Sequence, residues 1–280
     1  MTRRSIRIAS THAFPGYHAV TLDDLKLHLD TIDHVVIPVY SVHDPRQPPI
    51  GRVVSGGITA LEDGEYALDV NIELFDPDFV FGGGTPVDKK IAILNKPHGK
   101  FGIWCDMTSM TPEKTGLLRE ISQILETRIC SGSGTGMLLE EPPIMIIGIG
   151  TLPFGYIADT FSRRLGSEKV RQLTGKLTRM YTVPGEDLPD SLLIFDLDVT
   201  DRQQRSLLIE VIMTNPEEKD IESFFSRGLV ELDRILPPFY LSRLHPKKIV
   251  ISYRDDRFRV LYALQEQGIP MIPRSDTLHG

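Results

Sequence analysis

The sequence predicts an α/β protein in which a strand-rich N-terminal module precedes a mixed-sheet α/β core. Three observations carry this. Runs of alternating or β-branched apolar residues fill much of the first half. From about Gly155 the pattern changes to helix, two strands, helix, strand, helix and strand. Two of those later strands carry carboxylates inside otherwise apolar runs. A chain of 280 residues accommodates two modest cores, and the change of pattern puts the regions at 1–155 and 156–280.

In the first region, strands are expected at 34–42 (HVVIPVYSV), 50–58 (IGRVVSGGI) and 65–75 (EYALDVNIELF), with Asp63-Gly64 as a hairpin turn. KIAILN and KFGIWCDM read as further strands. Thr111-Pro112-Glu113 opens a helix to about Arg128, with threonine as the cap and proline at the first helical position. The apolar run from Pro142 to Ile157 is broken by Pro153 and glycines, and it is shorter than the roughly 20 residues that span a bilayer. It reads as a buried strand, IMIIGIG, followed by a turn.

In the second region a helix is expected over about 157–181. SLLIFDLDV and SLLIEVIMT follow, joined by the polar TDRQQR turn as an antiparallel hairpin. Asn215-Pro216-Glu217-Glu218 marks a helix start, with asparagine as the cap, and that helix ends before Pro237-Pro238. KKIVISY is expected as a short buried strand, DRFRVLYALQEQG as a helix closed by Gly268, and IPMIP as a last extended piece.

Composition bounds the function classes. Lys+Arg number 31 against 38 Asp+Glu, so the net charge of -7 gives no overall sign of a polyanion binder. The two cysteines, Cys105 and Cys130, have neither zinc-ligand spacing nor a disulfide framework, which makes a cytoplasmic setting the expectation. MTRRSIRIASTHAF lacks the apolar core of a secretory signal, and no membrane association is expected.

The candidate site lies in LPDSLLIFDLDVTDRQQRSLLIEVIMTNPEEKDIESFF. An acid within LLIEVIM is costly unless paired or metal-bound, which singles out Glu210. Hairpin register decides its partner. A turn centred near Thr200 sets Asp190 opposite Glu210, whereas one centred near Gln203 sets Asp196 there. Asp190 and Glu210 are the expected metal ligands, with Asp196 as the alternate. The competing reading makes Asp190 a turn residue after Pro189. Phosphodiester hydrolysis needs an activated water, offset phosphate charge and a stabilised leaving oxygen. Carboxylate-bound Mg²⁺, or Mn²⁺ in its place, contributes to all three.

The order helix, hairpin, helix, strand, with Pro189-Asp190 ahead of the hairpin and Glu210 on its second strand, resembles the PD-(D/E)XK nuclease superfamily over about residues 157–255. LIEVIMTNPEEK is similar to a stretch of BsuBI/PstI-type restriction endonucleases. The resemblance implies a restriction-endonuclease-like core, with Asp190 and Glu210 holding metal and a lysine activating water. Two residues after Glu210, where the family has that lysine, this chain has Ile212, which cannot polarise water. Lys219, on the first turn of the next helix, is the nearest candidate for the role; its competing reading is a solvated residue paired with a glutamate.

Charge is unevenly spread in the second region. Arg163, Arg164, Lys169 and Arg171 form one basic stretch expected to grip substrate phosphates. Arg243, Lys247, Lys248, Arg254, Arg257 and Arg259 form another, and an acidic segment separates the two. SGSGTG at 131–136 lacks the Lys-Ser/Thr of a P-loop and reads as a linker, and FGGGT at 81–85 is similar. These features lead to an expected metal-dependent DNA endonuclease of restriction or phage-defence type, with residues 1–155 recognising DNA or regulating access. A homodimer is expected because cutting both strands uses two sites. The alternative is a non-catalytic nucleic-acid-binding or assembly protein on the same scaffold.

Overall fold

The structure is a computed structural model that describes residues 2–12, 20–42, 44–76, 89–91, 100–105, 110–131, 144–181, 190–201, 203–241 and 246–271. The protein is mixed α/β, built on two sheets of which the larger is mixed. The chain divides into two compact units, residues 1–92 with 262–280, and residues 93–261. The first unit's N-terminal segment ends at residue 92, not 155, and strands between these positions join the same sheet as the acidic hairpin.

In the first unit, β1 (Thr2–Ser10) is followed by α1 (Leu22–His34), β2 (Val35–Val39), β3 (Gly51–Ala60), β4 (Tyr66–Leu74) and the two-residue β5 (Lys90–Ile91). The antiparallel order is β1-β4-β3-β2, with β5 parallel to β2. Thr21 starts α1 through a reciprocal capping box with Asp24, which ties off two backbone N–H groups. That helix takes the first residue of the strand expected at 34–42, and it lays Leu25 and Ile32 on Val53, Leu68, Val70 and Ile72. Gly64, at φ 86, makes the expected turn between β3 and β4. On the opposite face of this sheet Arg52 is wholly buried. Its Nε and Nη2 donate to Glu73 Oε2 at 3.0 and 2.8 Å, and its Nη1 donates to the Gln267 carbonyl at 2.8 Å.

The second unit begins with β6 (Phe101–Cys105), α2 (Pro112–Ile124), β7 (Ile129–Ser131) and β8 (Ile144–Pro153). As expected, Thr111 caps α2 and Pro112 stands at its start. SGSGTG beyond Ser131 and FGGGT lie outside the described residues. The single helix expected at 157–181 is two, α3 (Ile157–Leu165) and α4 (Ser167–Tyr181), because Gly166 at φ 77 breaks the run. The hairpin follows as β9 (Leu192–Thr200) and β10 (Ser206–Thr214).

Beyond the hairpin are α5 (Glu218–Ser223), a π-helical turn (Phe224–Gly228), α6 (Leu229–Ile235) and the short α7 (Pro237–Leu241). Glu217, not Asn215, caps α5. Asn215, at φ 46, instead closes the end of the hairpin by accepting from the Ser191 amide at 2.7 Å. The chain continues through β11 (Lys248–Arg254), β12 (Arg257–Leu264) and β13 (Pro270–Met271). The helix expected from DRFRVLYALQEQG is therefore a strand. Asp255 and Asp256, at φ 50 and 61, form a two-residue turn, and the alternation of Phe258, Val260 and Tyr262 has the period of a strand.

The large sheet runs β13-β12-β11-β10-β9-β8-β6-β7. One face of its central strands is covered by helices. Phe224 stacks on Phe195 with ring centroids 4.7 Å apart, Phe225 stacks on Phe161 at 5.3 Å, and Phe161 meets Phe101 edge-on at 6.3 Å. Because side chains alternate along a strand, Asp196 and Asp198 point away from the helices. Among the described residues no helix is long and apolar enough to cross a membrane.

Candidate active site

The hairpin turn sets the site. Ser206 pairs with Thr200, and the turn is held by Asp201, whose carboxylate accepts from the amides of Gln203 and Arg205 at 2.8 and 2.9 Å. Its centre is therefore Gln203, and this register puts Asp196 directly opposite Glu210. Gly148 of β8 and Gly102 of β6 continue the same row beyond Asp196, so no side chain of those strands stands beside it. Glycines at such places permit close approach of a ligand or another chain segment.

Both acids are buried, Asp196 3% and Glu210 6% exposed. Oδ1 of Asp196 and Oε2 of Glu210 have no hydrogen-bond partner among the described residues. Lys248, at the start of β11, brings Nζ to 2.8 Å from that same Glu210 oxygen, as an ion pair without hydrogen-bond alignment. Parallel pairing explains its position. Glu210 lies beside Val250, and Lys248 is two residues earlier on the same face. Burial, then the neighbouring Glu210 charge, push the Asp196 carboxyl up to about 8, against a smaller downward pull from Lys248. Asp198, one pleat further along β9, is fully engaged by its neighbours, accepting from Ser206 Oγ at 2.5 Å and Thr151 Oγ1 at 3.2 Å.

The structure does not bring Asp190 to Glu210. Asp190 sits beyond the start of β9, where the Asn215 side chain donates to it at 3.3 Å. Asn215 is five residues from Glu210, about 16 Å along an extended strand. Lys219 is an exposed residue of α5, 3.2 Å from Glu217 and 3.8 Å from Asp255. Arg163 pairs with Asp159 at 3.1 Å, Lys169 with Glu126, and Arg171 with Glu168 at 2.5 Å. Arg164 donates to the carbonyls of Gly150 and Thr151, both at 2.6 Å. These four cations belong to the helices that cover the Phe195 face, so the sheet separates them from Asp196 and Glu210.

Lys248 and the register-selected Asp196 are the members that sequence patterns ranked low or passed over. A signal for Lys248 existed in HPKKIVISY: a lysine at the start of a parallel neighbour of β10 lands near the start of β10. Among the described residues no three His, Cys, Asp or Glu side chains gather as a metal-binding group. Among the described residues the available donor set is two carboxylates, of which Glu210 also meets Lys248, and it suits Mg²⁺, an ion that keeps several waters and takes one or two protein carboxylates plus substrate phosphate. A separate groove of about 400 Å³ lies between α4 and α5, lined by Val170, Arg171, Thr174, Glu218, Glu222 and Phe225. It is on the helical side, away from the carboxylate pair.

Comparison with models of protein families, with curated proteins and with solved structures returns no match.

Proposed function

We propose that the protein is a metal-dependent endonuclease that hydrolyses DNA phosphodiester bonds at Asp196, Glu210 and Lys248, on a restriction-endonuclease-like core. The observation that carries this reading is the facing pair of buried carboxylates, each with an oxygen that has no hydrogen-bond partner among the described residues. Burial and the neighbouring Glu210 favour the protonated form of Asp196, and a cation bound between the two would favour its ionised form. Mg²⁺ or Mn²⁺ there would supply Lewis acidity toward the phosphate and lower the pKa of a bound water. Asp196 and Glu210 would hold the cation, and the sheet fixes their separation. Lys248, 2.8 Å from Glu210, takes in this reading the role for which Lys219 was the expected candidate. Its ammonium offsets charge on the phosphate and orients the attacking water. Restriction or phage defence is the proposed setting, with a homodimer cutting both strands.

A second reading draws on the Lys248–Glu210 contact itself. It compensates Glu210 without a metal, as a non-catalytic nucleic-acid-binding or assembly protein would require. Plasmid cleavage in Mg²⁺ or Mn²⁺ separates the two. The parent is expected to cut, and Asp196→Asn and Glu210→Gln to lose at least about 100-fold in rate, within the range of general acid–base and electrostatic contributions. Uncut plasmid with the parent, or undiminished cutting by folded Glu210→Gln, overturns the catalytic reading.

A further inference from the structure

We propose that Arg257 and Arg259 of β12 form a strip that binds the phosphodiester backbone of duplex DNA on the sheet face carrying Asp196 and Glu210. The nature of the ligand rests on the nuclease reading; the place of the strip rests on strand geometry. The two-residue turn at Asp255-Asp256 sets Arg254 opposite Arg257 and Ser252 opposite Arg259. Two contacts bear out this pairing. The rings of Tyr253 and Phe258 lie 4.6 Å apart, and Ser252 Oγ donates to the Arg259 carbonyl at 3.4 Å.

Parity along the strands then decides the face. Glu210 lies beside Val250, so Val250, Ser252 and Arg254 share its face, and Arg257 and Arg259 follow across the turn. Burial agrees: Arg254, Arg257 and Arg259 are exposed, whereas Tyr253 and Val260, on the opposite face, are buried. Arg254 is 3.8 Å from Asp255, but no described acid forms an ion pair with Arg257 or Arg259. In contrast, Arg163, Lys169 and Arg171 are each already paired and lie on the helical side.

Strand spacing of about 4.8 Å and a rise of about 3.3 Å per residue put the Cα of Arg259 about 12 Å from that of Glu210. At about 3.4 Å of axial advance per nucleotide, a strand lying over the carboxylate pair presents Arg259 with a phosphate roughly three or four nucleotides away. Arg257, one pleat further out, extends the track.

The test is fluorescence anisotropy of a fluorescein-labelled DNA duplex across a NaCl series, with Ca²⁺ replacing Mg²⁺. An RNA duplex and plasmid cleavage in Mg²⁺ run in parallel. The Arg257→Ala/Arg259→Ala variant is expected to bind about tenfold more weakly, with its salt slope reduced by about 2, at an unchanged melting temperature. Arg163→Ala/Arg171→Ala is expected to leave both values at those of the parent. Parent-like affinity and slope in the β12 variant overturn the strip, as does a parent that binds neither duplex; preference for RNA overturns DNA as its ligand. A parent that binds DNA through these arginines but does not cut keeps the strip and removes the nuclease reading. Cutting by the parent, with binding unaltered in the β12 variant, removes the strip alone.

Discussion

Asp196 on β9 stands directly opposite Glu210 on β10, both buried, and Lys248 reaches the same glutamate from the parallel strand on its other side. Three strands thus each contribute one ionisable group to one patch of sheet.

This pair makes stability depend on pH in a set direction. Asp196 is raised from the ordinary 3.8 to about 8, so between these values the folded protein holds a proton that the unfolded chain has released. Its contribution to stability is present below the unfolded value and lost as pH rises through about 8. Denaturant unfolding at pH 5 to 9 should show stability falling by at most about 1.4 kcal/mol per pH unit per proton from this group. Asp196→Asn should flatten that part of the profile, and an unchanged slope counts against the shift.

Divalent cation should oppose this loss. Mg²⁺ or Mn²⁺ bound by the two carboxylates should raise the melting temperature at pH 8, with about 2.7 kcal/mol of stabilisation at a hundredfold excess over Kd. The same titration of Asp196→Asn or Glu210→Gln should show little effect. Calorimetric titration provides a check that needs no activity; equal cation binding by parent and Glu210→Gln would falsify the proposed ligands.

Lys248 and Lys219 make opposite predictions. Lys248→Met removes the charge beside Glu210 and should abolish cleavage, with Lys248→Arg recovering part of it. Lys219 is exposed and paired with Glu217 and Asp255, so Lys219→Ala should leave the rate within about twofold, as expected of an exposed surface pair. Steady-state cleavage rates at saturating Mg²⁺ discriminate the two, and loss of cutting in Lys219→Ala would reverse the assignment.

The first unit should be most sensitive at Arg52. Arg52→Met takes the guanidinium away from Glu73, buried at 1% exposure, and from the Gln267 carbonyl, at a cost of about 3–5 kcal/mol. Replacing both partners, as Arg52→Met/Glu73→Leu, should recover much of that loss. Urea unfolding followed by far-UV circular dichroism reads both, and a parent-like midpoint for Arg52→Met would contradict the assigned role of the pair.

Local patterning made much of this molecule legible. The bounds of β10 and the positions of β3, β4, β6, β8, β9 and β11 follow from apolar alternation and turn residues, and Thr111-Pro112 marks the start of α2. Glu210 stands out because an acid in an apolar strand needs compensation. β1, whose first seven residues are exposed, lacks the apolar face by which a strand is recognised. β12 carries enough helix-forming residues to read as a helix until the paired aspartates before it are seen as a turn.

The amino-acid sequence by itself determined which residues are apolar, where the chain turns, and that Glu210 requires a partner, since propensity, side-chain period and desolvation act within a few residues. Only the tertiary structure decided that Asp196 is the facing carboxylate, that Lys248 supplies the nearby cation, and that Arg257 and Arg259 share their face. Register depends on where a turn closes, and parallel neighbours meet through pairing between segments almost 40 residues apart, so these relationships exist only once the sheet has formed.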